Sequence, residues 1–169
     1  DGRNVAVGSS ALNAQNAGSD AYNVAVGYDA GANVSTGTGN TFIGGQAGDA
    51  LTTGGFNTAI GKSALSTETA YGYCTAVGYQ ALLTQDAGSN AANTAVGFDA
   101  GGDITTGTNN TLMGHESGNA LTTGSHNVAI GYGTLDAEDA HGRNVAIGYQ
   151  ALTNQDAGLA AYNVAVGIY

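Results

Sequence analysis

The sequence predicts an all-β fold, a parallel β-solenoid of about ten coils, and three observations predict it. A five-residue motif runs Asn, then Val or Thr, a small or apolar residue, Val, Ile or Met, and Gly. It occurs ten times in 169 residues, first at Asn4 to Gly8 and last at Asn163 to Gly167, with Cys74 in the Asn place of one copy. The closing glycines are spaced by 19, 17, 17, 17, 19, 17, 17, 17 and 19 residues. So short and regular a period marks a unit that buries its apolar face only by stacking on its neighbours. Finally, β-branched residues dominate the motif, which favours strand over helix.

Each motif is taken as a short strand. Its first and third variable residues share one face, and the intervening residue takes the other. That second column is Ala6, Ala25, Phe42, Ala59, Ala76, Ala95, Leu112, Ala129, Ala146 and Ala165. Both faces are apolar or small, so the strand is expected to be buried on both sides, one in the chain's own core and one against a second layer or subunit. The second column is assigned to that combined core and subunit interface. The closing Gly supplies a corner or close approach that a Cβ would obstruct.

A second short element follows the corner. In one kind of coil it carries Leu12, Leu65, Leu82, Leu135 or Leu152. In the other it carries Gly31, Gly48, Gly101 or Gly118, and an apolar residue comes three positions later, at Val34, Leu51, Ile104 and Leu121. Every full coil thus has an apolar plug. Turns such as Thr52-Thr53-Gly54 and Thr122-Thr123-Gly124 lead back to the next Asn, whose side-chain amide is expected to bond nearby backbone at the corner. The longest loops fall at 12–22, 82–92 and 152–162.

Four coils form a 70-residue super-repeat: Phe98-Asp99-Ala100-Gly101 echoes Tyr28-Asp29-Ala30-Gly31. The whole chain, 1–169, therefore reads as one solenoid domain, a rod on the order of 50 Å long at the inter-strand spacing of about 4.8 Å. Its core is thin, and lateral packing of the outer strand face predicts a homo-oligomer. The chain begins at Asp1 just before one motif and stops just after another, which reads as a piece of a longer protein.

Composition narrows the function classes. Charged residues are 9% and hydrophobic ones 42% of the chain, the reverse of a disordered segment despite 29 glycines. A formal charge of -10 with only three Lys and Arg argues against nucleic acid and anionic membrane surfaces. No run approaches the ~18 apolar residues of a membrane span. Cys74 is alone, a buried structural thiol with no partner for an internal disulfide.

The run Asn57-Thr58-Ala59-Ile60-Gly61 with Lys62-Ser63-Ala64-Leu65, and its sister copies, resembles the head repeats of YadA-like trimeric autotransporter adhesins. It looks still more like the longer variants in bacteriophage tail fibres and related fibrous surface proteins. The resemblance covers the whole chain and implies a left-handed parallel β-roll that assembles side by side as a homotrimer. It also implies an extracellular location, on a bacterial surface or a virion tail fibre. Coils of 17 and 19 residues exceed the usual adhesin head repeat, and no stalk, neck or anchor is present to carry the family's secretion function.

Stacking puts equivalent positions in columns. The residue after each closing Gly makes one of them, and its run Tyr79, Phe98, His115, Tyr132 and Tyr149 is expected to form an aromatic ladder, either sealing an interface or meeting sugar rings. Tyr22, Tyr71, Tyr73 and Tyr162 are candidate ligand contacts on variable loops. Asp99 and Glu116 lie one coil apart and are the candidate pair for Ca²⁺, although solvated carboxylates that keep the rod soluble are the simpler account. No cofactor is otherwise indicated. Three histidines, three basic residues and no Ser/His/Asp or Cys/His grouping indicate no enzyme.

The resulting expectation is a non-enzymatic trimeric fibre module that presents a rigid surface to a host cell, glycan or matrix protein. Two alternatives stand beside it: an ice-binding solenoid, weakened because the Thr-Thr pairs skip coils, and a structural spacer without a ligand.

Overall fold

The computed structural model describes residues 2–136, 140, 142–154 and 162–168. Ten three-residue strands, β1 (Val5–Val7), β2 (Val24–Val26), β3 (Thr41–Ile43), β4 (Thr58–Ile60), β5 (Thr75–Val77), β6 (Thr94–Val96), β7 (Thr111–Met113), β8 (Val128–Ile130), β9 (Val145–Ile147) and β10 (Val164–Val166), pair in chain order. All pairings are parallel and join equivalent motif positions, as Ala25 with Phe42 and Phe42 with Ala59. There is no helix among the described residues. The chain is a parallel β-solenoid.

The structure decides which strand face is which. The middle residues Ala25, Phe42, Ala59, Ala76, Ala95, Leu112, Ala129 and Ala146 are fully buried inside the chain's own coil. Ala6 and Ala165, on the two end strands, are exposed and partly buried. This corrects the interface half of their assignment: the column is core, and Val, Thr and Ile at the flanking positions face outward. Alternation has period two, so a choice for one residue orients the whole strand.

The plugs close the core from the opposite wall. Leu12, Val34, Leu51, Leu65, Leu82, Ile104, Leu121 and Leu135 are all buried, and Leu152 packs against them. Glycine at the closing corner is a steric demand: Gly61 has φ 138°, and a Cβ there would stand 2.1 Å from the Gly78 carbonyl oxygen of the next coil.

The motif asparagines bond between coils, not locally as expected. Each Oδ1 accepts the backbone N–H of the next motif Asn, as in Asn40 to Asn23 at 2.8 Å and Asn57 to Asn40 at 2.9 Å. The amide groups of Asn23, Asn40, Asn57, Asn93 and Asn110 donate to carbonyls one turn on, as Asn40 to Gly54 and Asn110 to Gly124, while the Asn144 amide nitrogen is buried without a partner among the described residues. Buried backbone groups at the strand entrance are thereby satisfied. Cys74 interrupts the line while still donating its own N–H to Asn57 Oδ1 at 3.0 Å. Burial above all pushes its thiol up to about 11.

The two described long loops stand away from the body. Gly18 and Gly88, at their tips, have open space around them. Gln15 and Gln85 anchor the loops by donating to the Ser35 and Thr105 carbonyls. Most of the third, 152–162, lies outside the described residues.

Candidate functional site

Two columns of side chains flank the sheet at opposite ends of its strands. The column after the closing glycines forms the expected ladder, with Tyr79, Phe98, His115, Tyr132 and Tyr149 stacked in succession at centroid distances of 5.2, 4.8, 5.2 and 5.3 Å. Coil spacing sets this distance, since every rung repeats one backbone position. The ring faces cover one another, so the ladder offers solvent mainly ring edges.

The other column lies immediately before the motif Asn, where residue type changes from rung to rung. It contains Arg3, Tyr22, Gly39, Phe56, Tyr73, Ala92, Asn109, His126, Arg143 and Tyr162, all with left-handed φ between 49° and 68°. Tyr22, Tyr73 and Tyr162 therefore occupy fixed rungs and not irregular loops. Phe56, which sequence reasoning passed over, stacks on Tyr73 at 5.6 Å with ring planes 6° apart. Arg3 lies over Tyr22 and Arg143 over Tyr162, each 5.5 Å from the ring centroid, and Arg143 also donates to the Tyr162 hydroxyl at 2.9 Å. These are cation–π pairs set by a one-coil offset. The signal that would have found the column is register from the Asn itself.

Tyr71 sits two residues before Tyr73, half-buried, with its N–H donating to Glu68 Oε1 at 3.1 Å. Tyr71, Tyr73 and Phe56 together line a cleft of about 240 Å³ that opens on this edge. Tyr22 and Tyr162 lie at the far ends of the column and do not reach it.

The two residues proposed for Ca²⁺ are not part of a larger ligand set. Among the described residues no group of three or more His, Cys, Asp or Glu side chains is placed to hold a metal ion. Glu116 pairs with His115 at 3.4 Å. Burial raises the Asp99 carboxyl above its ordinary value, with Asp103 and Glu116 adding repulsion and His115 opposing them.

Comparison with protein-family models, with curated proteins and with solved structures finds no match for this chain. Several turn hydroxyls are engaged in the solenoid itself: Thr52, Thr105 and Ser35 each donate to a carbonyl of the next coil, Thr69, Thr122 and Thr52 respectively. No helix of the described residues is long and apolar enough to cross a membrane.

Proposed function

We propose that this chain is a section of an extracellular fibre, a left-handed β-roll that assembles side by side as a homotrimer. On this reading it is a non-enzymatic module of a bacterial surface adhesin or phage tail fibre that holds a rigid surface toward a host cell, glycan or matrix. The observation that carries it is the outward face of the ten-stranded sheet. Ile43, Ile60, Val77, Val96, Met113, Ile130 and Ile147 form one continuous apolar file across the sheet and run beside the aromatic ladder. Ile43 is 39% and Met113 47% exposed in the single chain. An apolar band this continuous is the kind of surface a neighbouring subunit covers. Three-fold display also multiplies weak contacts through avidity. Light scattering tests the assembly: three times the 16.5 kDa chain mass is expected, and a monomer stable across concentration overturns it.

One observation favours ice binding as a second reading. Thr41, Thr58, Thr75, Thr94 and Thr111 stand in register on the outward face, five consecutive rungs. Val128, Val145 and Val164 end the file, and the turn hydroxyls that donate between coils are already engaged, so the fibre reading is preferred. Thermal hysteresis in the monomeric or assembled protein is the discriminating assay.

A further inference from the structure

The edge cleft occurs twice, and its two copies differ in a telling way. In the first super-repeat its wall is the Phe56–Tyr73 stack, both rings more than half exposed. Its floor is bare backbone: a Cβ on Gly72 would lie 1.9 Å from the Gly55 carbonyl oxygen, and one on Gly55 2.8 Å from that of Thr38. In the second, seventy residues on, His126 stands in place of Phe56, Arg143 in place of Tyr73 and Ser125 in place of Gly55. The fold is equally served by both sets, so the aromatic wall is not a requirement of the solenoid.

Phe56 and Tyr73 also occupy backbone that disfavours them. Their φ values are 60° and 67°, matching Gly39 at 68° in the same column. Bulky residues are uncommon in this region and glycine adopts it freely. Every rung of the column shares this conformation, so the backbone fixes where the two rings stand along the edge whatever residue occupies the position.

The remaining lining fits one ligand chemistry. No side chain around the first cleft is charged, in a chain of net charge -10. Asn90 Oδ1 accepts the Gly72 N–H at 3.2 Å, which leaves the Asn90 amide hydrogens for a ligand. The Thr53 hydroxyl donates to the Ala70 carbonyl at 3.3 Å and keeps its acceptor capacity. Beyond Tyr73 the next rung is only Ala92, so a ring face is not covered by a further ring as faces are in the ladder. A flat apolar wall beside neutral donors and acceptors suits a sugar, whose C–H face packs on the ring while its hydroxyls bond at the rim.

We propose that the Phe56–Tyr73 cleft is a binding subsite for an uncharged saccharide, with Asn90 and Thr53 holding its hydroxyls. This rests on the reading of the chain as an exposed, target-binding fibre section. The test uses the full chain on immobilised neutral oligosaccharides of glucose, galactose, mannose and N-acetylglucosamine, with sialylated counterparts alongside. Retention of a neutral glycan is expected, weakened about tenfold or more by Tyr73→Ala or Phe56→Ala and unchanged by His126→Ala. Because both rings are largely exposed, unchanged circular dichroism and melting are expected for these variants. Retention of sialylated glycans alone, no retention of any, or retention indifferent to Tyr73→Ala each overturns the subsite. Light scattering on the same samples separates the two ideas: a trimer without glycan binding sinks only the cleft, and a glycan-binding monomer sinks only the assembly.

Discussion

The ring of Phe42 fills the place where Gly48 would carry a side chain: a Cβ on Gly48 would lie 2.3 Å from Phe42 Cε1. Gly31, one coil earlier, faces the same ring at 2.7 Å, and Leu112 relates to Gly101 and Gly118 in the same way, with both distances 2.7 Å. The two glycine-bearing coils of each super-repeat are thus sterically matched to one oversized strand residue. Gly48→Ala is expected to destabilise by about 1–3 kcal/mol through overpacking, and Phe42→Ala by about 3–5 kcal/mol through the cavity left. The pair is coupled, so the double variant loses less than the two single losses together. Chemical denaturation of all four proteins measures it.

Orientation of the strand makes two adjacent substitutions behave differently. Ala129 is fully buried and Ile130, beside it, faces outward half-buried. Ala129→Glu puts a carboxylate into a dry core, a cost of several kcal/mol or more, and is expected to abolish the cooperative melt. Ile130→Glu leaves each coil intact and is expected to reduce a trimer's mass to that of one chain. Circular dichroism and light scattering on both variants separate folding from assembly.

Glu68 is fully buried, and its Oε1 accepts the Ala70 and Tyr71 amides at 3.3 and 3.1 Å while Oε2 has no partner. Burial raises its carboxyl above the ordinary 4.5, Asp86 adds repulsion, and the backbone amides oppose the rise. A raised acid pKa means that the folded chain binds the proton more tightly than the unfolded one. The stabilisation from this group is therefore full below the unfolded value and is lost as pH rises through the folded value. Asp49, Asp99 and Asp136 shift the same way. The melting temperature is expected to be higher at about pH 5 than at neutral pH. Glu68→Gln is expected to raise it at neutral pH and narrow the difference.

Cys74 is 1% exposed and its thiol is pushed up to about 11, chiefly by burial with Glu68 contributing. A thiol reagent at mildly alkaline pH is expected to leave the folded protein unlabelled and to react at once in denaturant. The Asn93 N–H faces the Cys74 sulfur, a weak acceptor; Cys74→Asn puts an amide oxygen there and is expected to add up to about 1 kcal/mol of stability, read from the denaturation midpoint.

Columns were legible in the sequence wherever the repeat keeps one residue type. The ten strands, their parallel order, the plugs Leu12 to Leu135 and the Tyr79 to Tyr149 ladder all follow from counting from the closing glycines. The column of Tyr22, Phe56 and Tyr73 was hidden because its residue types change at nearly every rung, and composition marks it as variable although its backbone is constant. Asn bonding was misjudged for a related reason. A side-chain amide has suitable partners nearby in sequence, and only stacking shows that the next coil's N–H is nearer and otherwise unsatisfied.

By itself, then, the sequence determined a stacked parallel solenoid with its period, its rungs and its two-faced strand, because a seventeen-residue unit cannot bury apolar residues in any arrangement except on copies of itself. Tertiary structure alone decided which strand face is core. Alternation is symmetric in sequence, and Ala129 and Ile130 exchange places if the strand is turned over. What breaks the symmetry is volume: small Ala fits opposite Leu65 or Leu135 inside a narrow coil, while the larger Val and Ile are left outside, and one Phe enters only where Gly31 and Gly48 make room for it.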